Sequence, residues 1–284
     1  MKRMKFRHSI PVAVAALALL ATTTGCKHLE SRDQLVKGVQ AFKNAHYEEA
    51  IDHFQKSINL DPAEATPRLY LATAYAQLVV PNLDTPENLQ TASRAKQAFH
   101  DVLDRNPDDI TALKQIASID FNTKNFDEAR EYQEKVIAAP NATDADKEPS
   151  YYTIGVIDWT QEYKNAVQIL ADNGLKDDGE GNPKKKKDAC EKIAQQNTTL
   201  VDEGLKMLQK ANDIDPNDDS AMSYINLTYR RKADMECGND AARKADIDLA
   251  NQWSSKAMGT RKAKEDKKNA AHAGGVEMPS APPQ

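Results

Sequence analysis

Three cysteines, Cys26, Cys190 and Cys237, are the residues best placed for covalent chemistry in this 284-residue chain. A cysteine reacts as its thiolate, and compartment and neighbours decide its fate. Cys190 and Cys237 make an even pair, open to a disulfide in an oxidising compartment or to two buried free thiols. Carboxylates gather at Asp177-Asp178-Gly179-Glu180, where calcium chemistry is conceivable. The alternating ligands and closing glutamate of a calcium loop are missing, however, and solvated turn residues are the simpler reading. His28, His46, His53, His100 and His272 show no paired metal spacing. There is no glycine-rich phosphate loop and no nucleophile elbow. These residues therefore point away from an enzyme and imply neither cofactor nor metal. The Lys184 to Lys187 run suits either anionic headgroups or a solvated helix start.

The remaining cysteine must be read with what precedes it. A basic head, Met1-Lys2-Arg3-Met4-Lys5-Phe6-Arg7, leads into an almost wholly apolar stretch from Ile10 to Ala21, then Thr22-Thr23-Thr24-Gly25-Cys26. That order is the pattern of an export signal, and the apolar part is short for a span of ~20 residues. Gly25-Cys26 resembles the end of a bacterial lipobox, with Thr23 standing where that motif carries leucine. The resemblance implies lipidation of Cys26, which would become the mature N-terminus; the alternative is ordinary cleavage leaving a thiol. Loss of Lys2, Arg3, Lys5 and Arg7 takes the net charge from −5 to −9. Such an acidic balance argues against nucleic acid, whose phosphates call for a basic face.

The elements that must position these residues show themselves as a repeat. The interval from a small residue to a proline is the same in Ala50 to Pro62, Ala95 to Pro107 and Gly204 to Pro216. One helical turn after each small residue stands Phe54, Phe99 or Leu208, on the same face. Small residues suit close helix contacts and the large ones fill the space between. Gly38 and Tyr47 complete a first unit over 31–64, and Glu48 to Pro62 resembles the second helix of a tetratricopeptide repeat. A further unit carries Ala117, Phe126 and Ala129, with Gln133 where Phe is expected and Pro140 one residue early. A last, degenerate unit has Met222, Ile225 and Tyr229, then Ala250 and Ala257, as terminal repeats often drift. Extra residues separate Ala72 from Ala95, Gly155 from Gly204 and Asn226 from Ala250. The longest of these is expected to be part solvated loop and part an unusually long helix over 189–211.

In that family the first helices line a concave groove, so the resemblance nominates groove positions. They are Leu35, Val39, Phe42 and Lys43 in the first unit and Leu69, Thr73 and Gln77 in the second. The third gives Lys114, Ser118, Phe121 and Asn122, the fourth Tyr152, Val156 and Trp159, and the fifth Leu227, Arg230 and Arg231. An apolar floor with aromatic anchors and a basic rim would suit a peptide or helix with an acidic element. The same residues would also serve plain helix packing.

The sequence thus predicts an all-α fold, a right-handed superhelical stack of about five tetratricopeptide-like helix pairs, with insertions in the second, fourth and fifth. Its expected organisation is a signal over 1–25, a short tether over 26–30, the repeat domain over 31–263 and a disordered tail over 264–284. The expected function is a scaffold that binds a protein or peptide partner, lipid-anchored in the bacterial envelope and facing the periplasm, or secreted if Cys26 is not lipidated. Two rivals are a subunit of an outer-membrane protein or pilus assembly machine, and a solute-binding or enzymatic protein using the insertion after Gly155 as a lid. A purely structural spacer is a third.

Overall fold

The computed structural model describes residues 10–177 and 186–273, with side chains over 26–177 and 186–270. The basic head, the loop with Lys184 and Lys185, the side chain of His272 and the last eleven positions of the expected tail lie outside the described residues. The described residues form ten helices and no strand: α1 (Ile10–Lys43), α2 (Tyr47–Leu60), α3 (Thr66–Gln77), α4 (Pro86–Leu103), α5 (Ile110–Asn122), α6 (Phe126–Ala138), α7 (Asp144–Asp172), α8 (Lys187–Ile214), α9 (Asp219–Ala233) and α10 (Asp240–Ala273). The chain divides into two compact units, 1–132 and 133–284, with the boundary inside α6.

In the first unit the repeat spacing becomes helix pairing. α1 packs on α2, α3 on α4, and the first helices α1, α3 and α5 lie side by side. Gly38 is required here, because a Cβ on it would stand 2.5 Å from the Phe54 ring. Ala50 and Phe54 are fully buried, as are Ala95 and Phe99 one repeat later. The turns from α1 to α2 and from α5 to α6 share one geometry. Ala45 (φ 59°) and Lys124 (φ 62°) both adopt the left-handed region. Both turns then close with an amide reaching back to the helix, from His46 to the Ala41 carbonyl at 3.0 Å and from Asn125 to Asp120 at 2.8 Å. Such a bond satisfies a carbonyl that the helix end leaves open. Pro62 and Pro107 fall just past α2 and α4, where a helix must stop.

The extra residues of the second repeat form a loop before α4, and Asn88 holds it. Its side chain accepts from the Val80 amide at 2.8 Å and donates to the carbonyls of Val80 and Leu83 at 2.9 and 2.7 Å. Lys96 reaches the fully buried Asp120 at 2.5 Å, tying α4 to α5.

In the second unit the long insertion lengthens helices. α7 and α8 run 29 and 28 residues and pack along each other. At their inner crossing Gly155 meets Leu208 and Gly204, and a Cβ on Gly155 would lie 2.4 Å from the Leu208 side chain. At the outer end Ala166, Ile169, Leu170, Ala189 and Ile193 make a separate core that Leu175 and Met235 cover. Cys190 and Cys237 are joined in a disulfide, S–S 2.00 Å and Cα–Cα 5.7 Å, which ties the start of α8 to the connection between α9 and α10. Equal heights on two straight helices would leave these cysteines offset; Cys237 lies beyond the end of α9, and the connection closes the gap.

Two expected boundaries come out differently. The expected tether 26–30 is helical, part of α1, and His28 bonds Asp61 at 2.7 Å. α10 continues to Ala273 through the start of the expected disordered tail, held by Lys264 and Arg261 on Asp219 at 2.7 and 2.9 Å. These pairs tie that stretch of α10 to the start of α9, against which it packs.

Candidate interaction surfaces

The groove positions of the first unit fall on its three adjacent first helices, but they are not equally free. Leu35, Val39 and Phe42 pack half-buried against the cluster of Ala41, Ala50, Phe54 and Ala74. Phe42 meets Tyr47 and Tyr70 edge-on at 5.5 and 6.4 Å. Leu69 packs on the next core. The Thr73 hydroxyl donates to the Leu69 carbonyl of its own helix at 2.7 Å. Phe121 stands edge-on to Phe126 at 5.7 Å, while the Asn122 carbonyl accepts from the Asn82 amide at 3.1 Å. Lys114 is half-buried, and the exposed members are Lys43, Gln77 and Ser118.

The second unit gathers its nominated residues differently. Tyr152 and Trp159 on α7 both meet Tyr224 on α9 edge-on, with ring centres 5.7 and 5.4 Å apart. Trp159 also stacks on Tyr163 at 5.2 Å, nearly parallel at 12°. Edge-on and offset rings are the favoured aromatic arrangements, and the contacts fix this cluster as one patch. Tyr163 is the most open of them, 39% exposed. The Trp159 indole N–H is buried without an acceptor. Burial pushes the Tyr152 hydroxyl up to about 12 and raises that of Tyr224, so both stay neutral donors near pH 7. Tyr163 and Tyr224 were not among the sequence nominations. Helical spacing from Trp159 to Tyr163, and Tyr224 one turn before Leu227 and Thr228, is the signal that would have found them.

Two nominated residues are corrected by burial. Val156 is 6% exposed and belongs to the α7 packing face. Arg231 is no basic rim: it is also 6% exposed and pairs with Asp177 and Asp234, each at 3.1 Å, with its guanidinium 5.5 Å from the Tyr163 ring centre. Burial works against that charge, but Asp234 and Asp177 hold it above its ordinary range. Arg230 bonds Asn226 at 3.2 Å and Asn251 at 3.0 Å, and Leu227 is half-buried beside it.

Behind the aromatic patch lies a buried polar layer that spacing did not announce. Glu162 is 1% exposed and accepts from the Asn197 amide at 3.4 Å, and the same amide donates to the Glu162 carbonyl at 3.2 Å. Desolvation pushes the Glu162 carboxyl up to about 8, only partly offset by the charge of Arg231. It is thus a carboxylic acid that stays protonated at neutral pH. Among the described residues no group of three or more His, Cys, Asp or Glu is arranged to hold a metal ion. No described helix is long and apolar enough to cross a membrane. Cys26 is a free, exposed thiol on α1.

Comparison with known proteins agrees with the helix pairing. Residues 111–142, α5 and α6, match the tetratricopeptide repeat family. The structure is similar to that of MamA, residues 41 to the end, from Desulfovibrio magneticus RS-1, at 17% identity, covering 82% of this chain and 96% of that one with a TM-score of 0.53. It is likewise similar to an RS-1 MamA double mutant, at 16% identity and 83% and 96% coverage, with a TM-score of 0.53. At that identity the likeness concerns the fold. No curated protein sequence matches the chain.

Proposed function

We propose that this chain, whose residues 111–142 match the tetratricopeptide repeat and whose fold is similar to that of MamA, is a non-enzymatic scaffold that binds a protein partner on the first-helix side of its repeats. The observation that carries the reading is the aromatic patch of Tyr152, Trp159, Tyr163 and Tyr224. Large rigid rings, part buried and part open, with tyrosine hydroxyls and an unsatisfied indole N–H among them, are the chemistry from which binding hot spots are made. The patch is neutral, with the positive charge of Arg231 already matched by Asp177 and Asp234, so it favours an amphipathic partner over a strongly charged one.

The anchor is a separate part of the proposal. Cys26 behind a basic and apolar leader supports export followed by lipidation, and two or more acyl chains would be needed for lasting membrane residence. The protein would then face the periplasm. A lid reading for the fourth insertion gains no support, because its described part is drawn into two packed helices and cross-linked at the outer end.

The test is affinity capture from an envelope fraction with the full chain, beside Tyr163→Ala and a Lys206→Ala control on the exposed side of α8. A partner kept by the control and lost by Tyr163→Ala supports the proposal; one kept equally by both overturns it. For the anchor, Cys26→Ser should move the protein out of the membrane fraction, and its retention there would refute lipidation.

A further inference from the structure

At one end of the first unit, where the α2–α3 and α4–α5 connections come together, there is a pocket of about 250 Å³. Its apolar wall is Leu69, Tyr70 and Val102, and its polar side carries Arg68, Arg105 and Asp109. It shares no residue with the aromatic patch and contains only Leu69 of the nominated groove positions. We propose that this pocket takes an acidic-apolar stretch of a partner polypeptide, in which one large apolar side chain fills the cavity and a flanking carboxylate pairs with Arg68 and Arg105.

The size argues for a single side chain, because whole small-molecule ligands occupy pockets of roughly 300–1,000 Å³. The charge argues for an acid. Arg105 is exposed and makes no ion pair among the described residues. Arg68 donates once, from Nη2 to the Pro62 carbonyl at 2.9 Å, and its buried Nε has no acceptor. Asp109, the carboxylate in the lining, makes no ion pair with either arginine and instead accepts from the Ala112 amide at the start of α5, at 2.9 Å. Two guanidiniums with vacant donors beside an apolar cavity thus ask for a carboxylate carried next to an apolar body.

The probe is a peptide capped at both ends, Ac-Asp-Glu-Phe-Glu-Asp-NH2, titrated into the full chain and followed by amide chemical shifts. Shifts centred on Leu69, Tyr70 and Val102 are expected, with a loss of at least tenfold in affinity in Arg68→Gln/Arg105→Gln. Arg105→Lys, which keeps the charge, should bind better than Arg105→Gln, and helicity by circular dichroism should match in all variants. The probe with Phe replaced by Ala, or with its acids replaced by amides, should bind at least tenfold more weakly. The proposal is overturned if no shift appears, if the shifts centre elsewhere, if the arginine variants bind as the parent does, or if 3-phenylpropionate binds as well as the peptide. The last outcome would assign the pocket to a free small acid. Because Tyr163→Ala leaves this pocket intact, its probe binding should be unchanged, which separates this inference from the fate of the aromatic patch.

Discussion

Replacing Glu162 by Gln should leave the second unit unchanged in acid and make it markedly more stable than the parent above pH 8. An unfolded glutamate titrates near 4.5, whereas burial pushes folded Glu162 up to about 8. Between those values the folded state holds a proton that the unfolded state has released. Stability from this group is therefore complete below pH 4.5, falls as pH rises, and is lost above about 8. At about 1.4 kcal/mol for each pH unit across that interval, the loss totals about 5 kcal/mol. Glutamine copies the protonated acid in shape and keeps an oxygen for the Asn197 amide. The Glu162→Gln minus parent difference in unfolding free energy should accordingly be near zero at pH 4.5 and approach ~5 kcal/mol at pH 9. Both tryptophans, Trp159 and Trp253, lie in the second unit, so indole fluorescence during urea unfolding reports that unit alone. Burial raises Glu148 and Asp246 in the same unit as well, and taking the difference between parent and variant removes their contribution. Two parallel stability curves from pH 5 to 9 would refute the assignment of a buried neutral acid.

Two further outcomes follow from packing and cross-linking. Gly155→Ala sets a methyl group 2.4 Å from the Leu208 side chain, and overpacking of this kind costs about 1–3 kcal/mol; Gly259→Ala meets nothing within 4 Å on the α10 surface and should gain up to ~1 kcal/mol. Urea unfolding that ranks the two variants the other way would contradict the crossing described for α7 and α8. Reducing the Cys190–Cys237 bond opens a loop of sequence separation 47, worth about 4 kcal/mol by chain entropy. A tryptophan-monitored midpoint indifferent to reductant, with two thiols titrating in the unfolded chain beside Cys26, would show that the bond does not hold this unit.

How much could be read from the chain is clearest residue by residue. Gly38, Ala50 and Phe54 announced a helix pair because close approach permits only small residues at one place and needs a large one opposite, a constraint visible as spacing. Gly155, Gly204 and Leu208 carried the same message across a gap of many residues. What spacing did not convey was where a polar residue would end up. Arg231 reads as a rim charge until Asp177, far away in sequence, and Asp234 fold around it. Glu162 reads as a solvated helix residue until Asn197, from the long insertion, covers it. Both depend on contacts between distant segments, which leave no periodic trace. The pocket of Arg68 and Arg105 belongs to the same class, being made where two connections meet. The helical start of the expected tail, in turn, rests on Asp219 pairing with Arg261 and Lys264, again a long-range event.

The central claim is that the first-helix side of the second unit is the surface on which a protein partner sits, and site-specific photocrosslinking in intact cells tests it most directly. A photoreactive amino acid at Tyr163 or Tyr224 should yield a discrete crosslinked product containing a second polypeptide, while the same probe at Lys206 or Asp202 on the exposed face of α8 should not. Equal crosslinking from both faces, or none from Tyr163 and Tyr224 with the protein folded and present at its normal level, would contradict it.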